Sequence, residues 1–212
     1  MDKLLILYTN KLCDAFRYRK LLLVVTDQLA KLGFQFTPYF LTLETTLQIP
    51  DIKLPDELQM SAWGVSTVED IEEIRNHPET HWFDRFESSL QDDDCICFTL
   101  KQNEEIMAFM WCNFDRCPLI QDMKLKADEA YLFGVFTYAK YRGKNLAPYL
   151  NSQVYQALSE MGRTRLFSLT GCFNTPALNF KKKLHARCVK AGLFIKLFHK
   201  IKWDICLKEY PV

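Results

Sequence analysis

This chain of 212 residues has only 7 glycines and 8 prolines, and it contains no repeat and no low-complexity tract. That scarcity excludes collagen-like, linker-like and disordered classes. Charge of a dominant sign is also missing. Lys and Arg number 27 against 26 Asp and Glu, a formal net of +1, so no nucleic-acid or acidic-membrane partner is expected. Long apolar runs are absent too. Leu4–Leu7 and Leu21–Val25 are the N-terminal apolar stretches, far short of the about 20 residues that span a bilayer. No small-residue cleavage site follows either one, so neither a membrane span nor a signal peptide is expected. There is no Cys-x-x-Cys pair, and the 4 histidines stand at no zinc spacing from the cysteines, so no metal is expected. The 8 cysteines fall partly inside apolar patterns such as Cys95-Ile96-Cys97-Phe98. That usage fits reduced, buried thiols in a cytoplasmic protein.

Aromatics are plentiful, at 14% with 16 Phe, enough for a sizeable core and for an apolar groove besides. The pattern predicts an α/β chain in two parts. Residues 1–55 read as an N-terminal extension, mostly helical to Gly33 with Leu21–Val25 equally readable as a strand, and with a strand at Phe34–Leu43 that Pro38 assigns to a sheet edge. Residues 44–58 read as a linker. Residues 56–212 read as the main domain. Strands are predicted at Leu58–Val65, Cys95–Leu100, Ile106–Asn113, Glu129–Thr137, Leu166–Leu169, Phe194–Phe198 and Lys202–Leu207. Helices are predicted from a Ser66/Glu69 capping box to Arg75, over Trp82–Leu90, from Pro148 to Met161, and over Asn174–Leu184. Asn103-Glu104 reads as a hairpin turn.

The stretch from Tyr131 to Leu150 organises the rest. An apolar strand, YLFGVFT, runs into a basic turn, YAKYRGKN, and then into a helix with Pro148 in its first turn, where no intrahelical N–H is forfeited. A strand, a cationic turn and a helix N-terminus together form an anion site, because backbone N–H groups converge there and the macrodipole favours a phosphate. The plainer alternative is a solvated turn.

The turn resembles the pyrophosphate-binding motif of the GNAT acyltransferase superfamily, Arg/Gln-x-x-Gly-x-Gly/Ala. Arg142, Asn145 and Ala147 stand at its three positions, with Asn145 in place of the middle Gly. Asn tolerates a positive φ better than other residues with a Cβ. A second segment, Asn174 to Leu184, resembles the later signature Asn-x-x-Ala-x-x-Phe-Tyr-x-Lys-x-Gly-Phe. Asn174, Ala177, Phe180 and Lys183 match, while Lys181, His185 and Ala186 replace the Tyr, Gly and Phe. The resemblance covers about residues 56 to 206. It implies a mixed, mostly antiparallel central sheet flanked by helices, and acetyl-CoA or another acyl-CoA as co-substrate. The pyrophosphate would lie on Arg142, Gly143, Lys144, Asn145, Leu146 and Ala147. The pantetheine arm would run along Val135, Phe136 and Thr137, with Asn174 bonding it and Ala177 and Phe180 packing against it.

The implied reaction is direct transfer of an acyl group, most simply acetyl, to an amine on a small molecule or a protein. A general base and a leaving-group acid are required. Phe133 and Gly134 occupy the strand positions where the family often has a carboxylate, and Lys181 occupies the Tyr position. Lys181 is therefore the candidate acid or thiolate-stabilising cation, with CoA contact or a plain solvated face as the alternatives. Glu129 and His81 are the base candidates. Asp115 and Asp122 read as solvated, and Cys172 as an incidental thiol. Two rivals remain open: a non-catalytic acyl-CoA-binding protein, and a long-chain synthase of N-acyl amino acids or lactone-type signals. A homodimer is also compatible with the sequence.

Overall fold

The computed structural model describes residues 28–29, 33–47, 49–80, 94–117, 120, 123–198 and 201–211. His81, Asp122, the Trp82–Leu90 helix and nearly all of the expected N-terminal helix lie outside them, apart from 28–29, which are helical. The chain divides into two compact units, Glu44–Ser168 and Met1–Leu43 with Leu169–Val212.

In the Glu44–Ser168 unit, β2 (Ala62–Val65), β3 (Cys95–Gln102), β4 (Glu105–Asn113), β5 (Glu129–Thr137) and β6 (Arg165–Gly171) neighbour one another in that order. Pairing is antiparallel except between β5 and β6, which run parallel from Glu129↔Arg165 to Leu132↔Ser168. Asn103 and Glu104 both take positive φ, 50° and 64°, as a two-residue hairpin requires. β4 is buried along nearly its whole length, from Ile106 to Asn113, on both faces.

Helix α1 (Val68–Asn76) begins one residue later than its predicted cap. Thr67, not Ser66, accepts from the Asp70 amide, and the Asp70 carboxylate accepts from the Thr67 amide at 2.9 Å. The first strand is likewise shorter than expected, because Asp56–Leu58 closes into a 3-10 turn. Helix α2 (Leu146–Glu160) buries Leu146, Leu150, Val154 and Leu158, a four-residue repeat that lays one stripe on the sheet. It ends at Gly162, whose φ of +77° and N–H to the Ser159 carbonyl close the last turn.

The other unit holds β1 (Phe34–Thr45), helix α3 (Thr175–Lys183), β7 (Arg187–Leu197) and β8 (Ile201–Glu209). β1 pairs antiparallel with β7, and β7 with β8. Pro38 does not mark an edge. β1 pairs with β7, and the Pro38 carbonyl accepts from the Cys172 amide at 2.9 Å, so the ring removes one donor while its carbonyl stays in use. β1 also runs to Thr45, into the stretch expected to be linker. In all, the pairing is mostly antiparallel and mixed, with three α-helices of eight or more residues among the described residues.

Candidate functional site

The end of β5 departs from regular strand geometry. Trp111 of β4 faces Phe133, yet Phe109 faces Phe136, so β5 carries one extra residue there. Gly134 absorbs it at φ +62°, and a Cβ at that position would meet Trp111 Cδ1 at 3.0 Å. This is a β-bulge, which bends its strand and disrupts the ladder locally. Gly134, Val135, Phe136 and Thr137 are half-buried, whereas Glu129 to Phe133 are buried. The described β5–β6 ladder stops at Leu132.

Beyond β5, a 3-10 turn (Ala139–Tyr141) leads into the basic loop. Arg142 donates from Nε to the Thr137 carbonyl at 3.0 Å and pairs through Nη2 with Glu79 Oε2 at 3.2 Å. Its guanidinium lies 5.5 Å from the centre of the Phe136 ring. The same Glu79 oxygen accepts from the Ala139 amide at 3.0 Å. Gly143 has φ +86°, and Asn145 sits in the left-handed region at φ 58°, ψ 23° as the N-cap of α2. The first intrahelical bond runs from the Tyr149 amide to the Asn145 carbonyl at 3.0 Å. Leu146 and Ala147 therefore present first-turn amides, at the positive end of a 15-residue helix. Lys144 pairs with Glu57 at 2.8 Å. The residues present thus suit a diphosphate: two left-handed positions, a helix N-terminus and two cations in one loop.

Sequence reasoning missed the acids. Glu57 and Glu79 carry no motif, and they stand 87 and 63 positions from their partners. It also missed Tyr138 and His77, whose rings lie 4.2 Å apart. The Tyr138 hydroxyl is buried with no hydrogen-bond partner. Burial raises its pKa, helped by the carboxylates of Glu73 and Glu79.

Glu129 starts β5 at the end away from the loop. Eight residues separate it from Thr137, about 26 Å of strand. Its carboxylate accepts from the Lys126 amide at 3.1 Å and faces Arg165 at 3.5 Å, while its carbonyl accepts from Arg163 at 2.8 Å. In the other unit, Asn174 is the N-cap of α3 without a side-chain cap bond, and Ala177 and Phe180 are half-buried. Lys181 is buried while Lys182 and Lys183 are exposed, and its Nζ lies 5.2 Å from the Phe180 ring centre. It is therefore not part of a uniformly solvated basic face. Burial raises the Cys172 thiol above its ordinary pKa, against a nucleophile's needs.

Solved structures share this architecture. A putative acetyltransferase of the GNAT family from Novosphingobium aromaticivorans aligns at 16% identity and TM-score 0.52, covering 77% of this chain and 64% of that one. A glucosamine N-acetyltransferase region of a fungal multi-domain β-N-acetylglucosaminidase aligns at 16% identity and TM-score 0.55, covering 82% of this chain and 22% of that one. A functionally unknown conserved protein from Staphylococcus epidermidis aligns at 10% identity and TM-score 0.54, covering 82% and 66%. This chain spans less than two thirds of each of those chains, and at such identities the likeness shows the fold alone. No curated protein matches it in sequence. The family model described as "Acetyltransferase (GNAT) family" matches residues 61–186. The chain belongs to the GNAT acetyltransferase family. Among the described residues, no helix is long and apolar enough to cross a membrane.

Proposed function

We propose that the protein transfers an acyl group, most simply acetyl, from acyl-CoA to an amine. The single observation that carries this reading is Asn145. It takes the left-handed conformation at the head of α2, so the loop closes as the glycine-bearing motif would. Acyl-CoA would place its diphosphate on the amides of Gly143 to Ala147, with charge from Arg142 and Lys144. The pantetheine amides would bond along the half-buried Val135–Thr137 segment as an added strand does.

In the transfer, the amine nitrogen attacks the thioester carbonyl carbon, a tetrahedral oxyanion forms, and its collapse breaks the C–S bond. The oxyanion would need backbone N–H donors, which the family resemblance assigns to β5. The amine's proton must leave to a base and the thiolate must gain one. Lys181 is assigned to the thiolate by its place in the second motif. Glu129 suits the base role poorly, since its carboxylate is held far from the bulge. His77, whose ring lies 4.2 Å from that of Tyr138 just past the end of β5, is the better-placed imidazole.

Incubating the protein with acetyl-CoA and a panel of amines, while following free thiol, tests this. Amine-dependent CoA release is expected. Saturable acyl-CoA binding without release by any amine would instead favour a non-catalytic acyl-CoA-binding protein, the reading suggested by the missing carboxylate and Tyr. Release only from long-chain thioesters would favour an acyl-chain synthase.

A further inference from the structure

In the unit that includes residues 169–212, strands β1, β7 and β8 turn a partly buried polar face one way and an apolar face with several exposed side chains the other. The register sets Phe36, Ile195 and Trp203 in one cross-strand row, and Pro38, Leu193 and Ile205 in the next. Opposed residues of an antiparallel pair share a face, so these rows are one apolar surface without a charge. The reverse face carries Tyr39, whose hydroxyl donates to Asp204 Oδ1 at 2.5 Å, and Lys190, 3.0 Å from Asp204 Oδ2. In that network Tyr39 is buried and Lys190 and Asp204 are half-buried. Its Tyr39 hydroxyl is pushed up to about 12 by burial and by the Asp204 carboxylate.

Among the described residues, the apolar side is only partly covered. Phe34, Phe36, Phe198, Ile201, Trp203, Ile205 and Leu207 are each 36–61% exposed. Taking about 200 Å² for a fully exposed large apolar side chain, those fractions leave roughly 600–700 Å² in water. This is at or above the roughly 300–600 Å² of the largest patch on an ordinary monomer, and close to the ~800 Å² per partner of a standard interface.

We propose that this face is a homodimer interface, packed against the same face of a second copy. A two-fold contact sets a surface against itself, so a charge near the axis would meet its like. The central rows carry none, which makes the patch self-complementary. Its composition is that of an obligate homodimer, with Trp203 and Phe36 as large aromatic anchors. Two such three-stranded faces would stack about 10 Å apart, as the sheets of a sandwich do.

Sedimentation velocity on the full chain, at micromolar concentrations, reads this directly. A species of twice the 25.0 kDa chain mass is expected. Trp203→Glu and, separately, Ile205→Lys should raise the dimer dissociation constant about 100-fold or more. Met60→Glu, at an exposed residue elsewhere, should leave it unchanged. A monomer at every concentration would overturn the proposal, with the chain's own first 32 residues or another partner then left to cover the face. So would a dimer that survives both substitutions. Should either variant fail to fold by circular dichroism, hydroxyl-radical footprinting of the unmodified protein decides. Protection of Trp203 and Phe36 must rise with concentration, and protection independent of concentration contradicts the dimer.

Discussion

Lys144 in the loop before α2 lies 2.8 Å from Glu57 in the 3-10 turn before β2. The cation that would meet a phosphate is thus already occupied by a carboxylate. Both side chains are substantially exposed, and such pairs contribute only about 0–1 kcal/mol. Glu57→Gln frees Lys144 without touching the loop backbone. CoA affinity should rise by about 2- to 5-fold at low salt, and the gain should shrink as ionic strength increases. Titration calorimetry at two salt concentrations checks it.

Asn145 holds φ 58°. A β-branched side chain there pays about 1–2 kcal/mol of backbone strain, and Gly pays none. Asn145→Val should weaken CoA binding about 10-fold, while Asn145→Gly should bind at least as tightly as the natural chain. The ordering Gly ≥ Asn > Val, measured by thermal shift with CoA, is the outcome to look for.

Gly134 combines φ +62° with the Trp111 ring where a Cβ would go. Gly134→Ala should cost about 1–3 kcal/mol, seen as a lower denaturation midpoint. Widening the space with Trp111→Phe should recover only part of this, because the backbone conformation stays strained.

Asp70 gives the pH prediction. Burial opposes its charge, but the Lys101 ammonium at 2.6 Å and the Thr67 amide outweigh burial, holding its carboxyl below the ordinary 3.8. A depressed folded pKa means the stabilisation is complete above the unfolded value and is lost as pH falls through the folded one. Asp70→Asn should therefore cost about 1–2 kcal/mol near neutral pH. The difference from the natural chain should narrow below roughly pH 3.8, in acid-dependent unfolding curves.

Much of the fold was legible because the strands alternate or run apolar between clear turns. Glu129–Thr137 matched residue for residue, and the Asn103-Glu104 hairpin and Gly162 helix stop followed from turn chemistry alone. The misses have physical reasons. Ser66 and Thr67 are both capping residues, so spacing to an acid could not separate the Glu69 box from the Asp70 box. Pro38 lacks an N–H, which points to an edge, while its carbonyl still accepts from the Cys172 amide. In the candidate site, the motif marked the turn whose Gly143 and Asn145 take positive φ before α2, since that geometry is local. The acids at Glu57 and Glu79 and the tilted Tyr138–His77 ring pair come from distant segments, and no spacing rule reaches them.

On the proposed reading, main-chain amides from Gly143 to Ala147 hold a diphosphate. Calorimetric titration with acetyl-CoA beside acetyl-pantetheine, which lacks the diphosphate and nucleotide, checks this. Saturable binding of acetyl-CoA, at least about 100-fold tighter than acetyl-pantetheine and lost in Asn145→Val faster than in Lys144→Ala, is predicted. Equal affinity for the two thioesters, or no binding of acetyl-CoA at all, would contradict it.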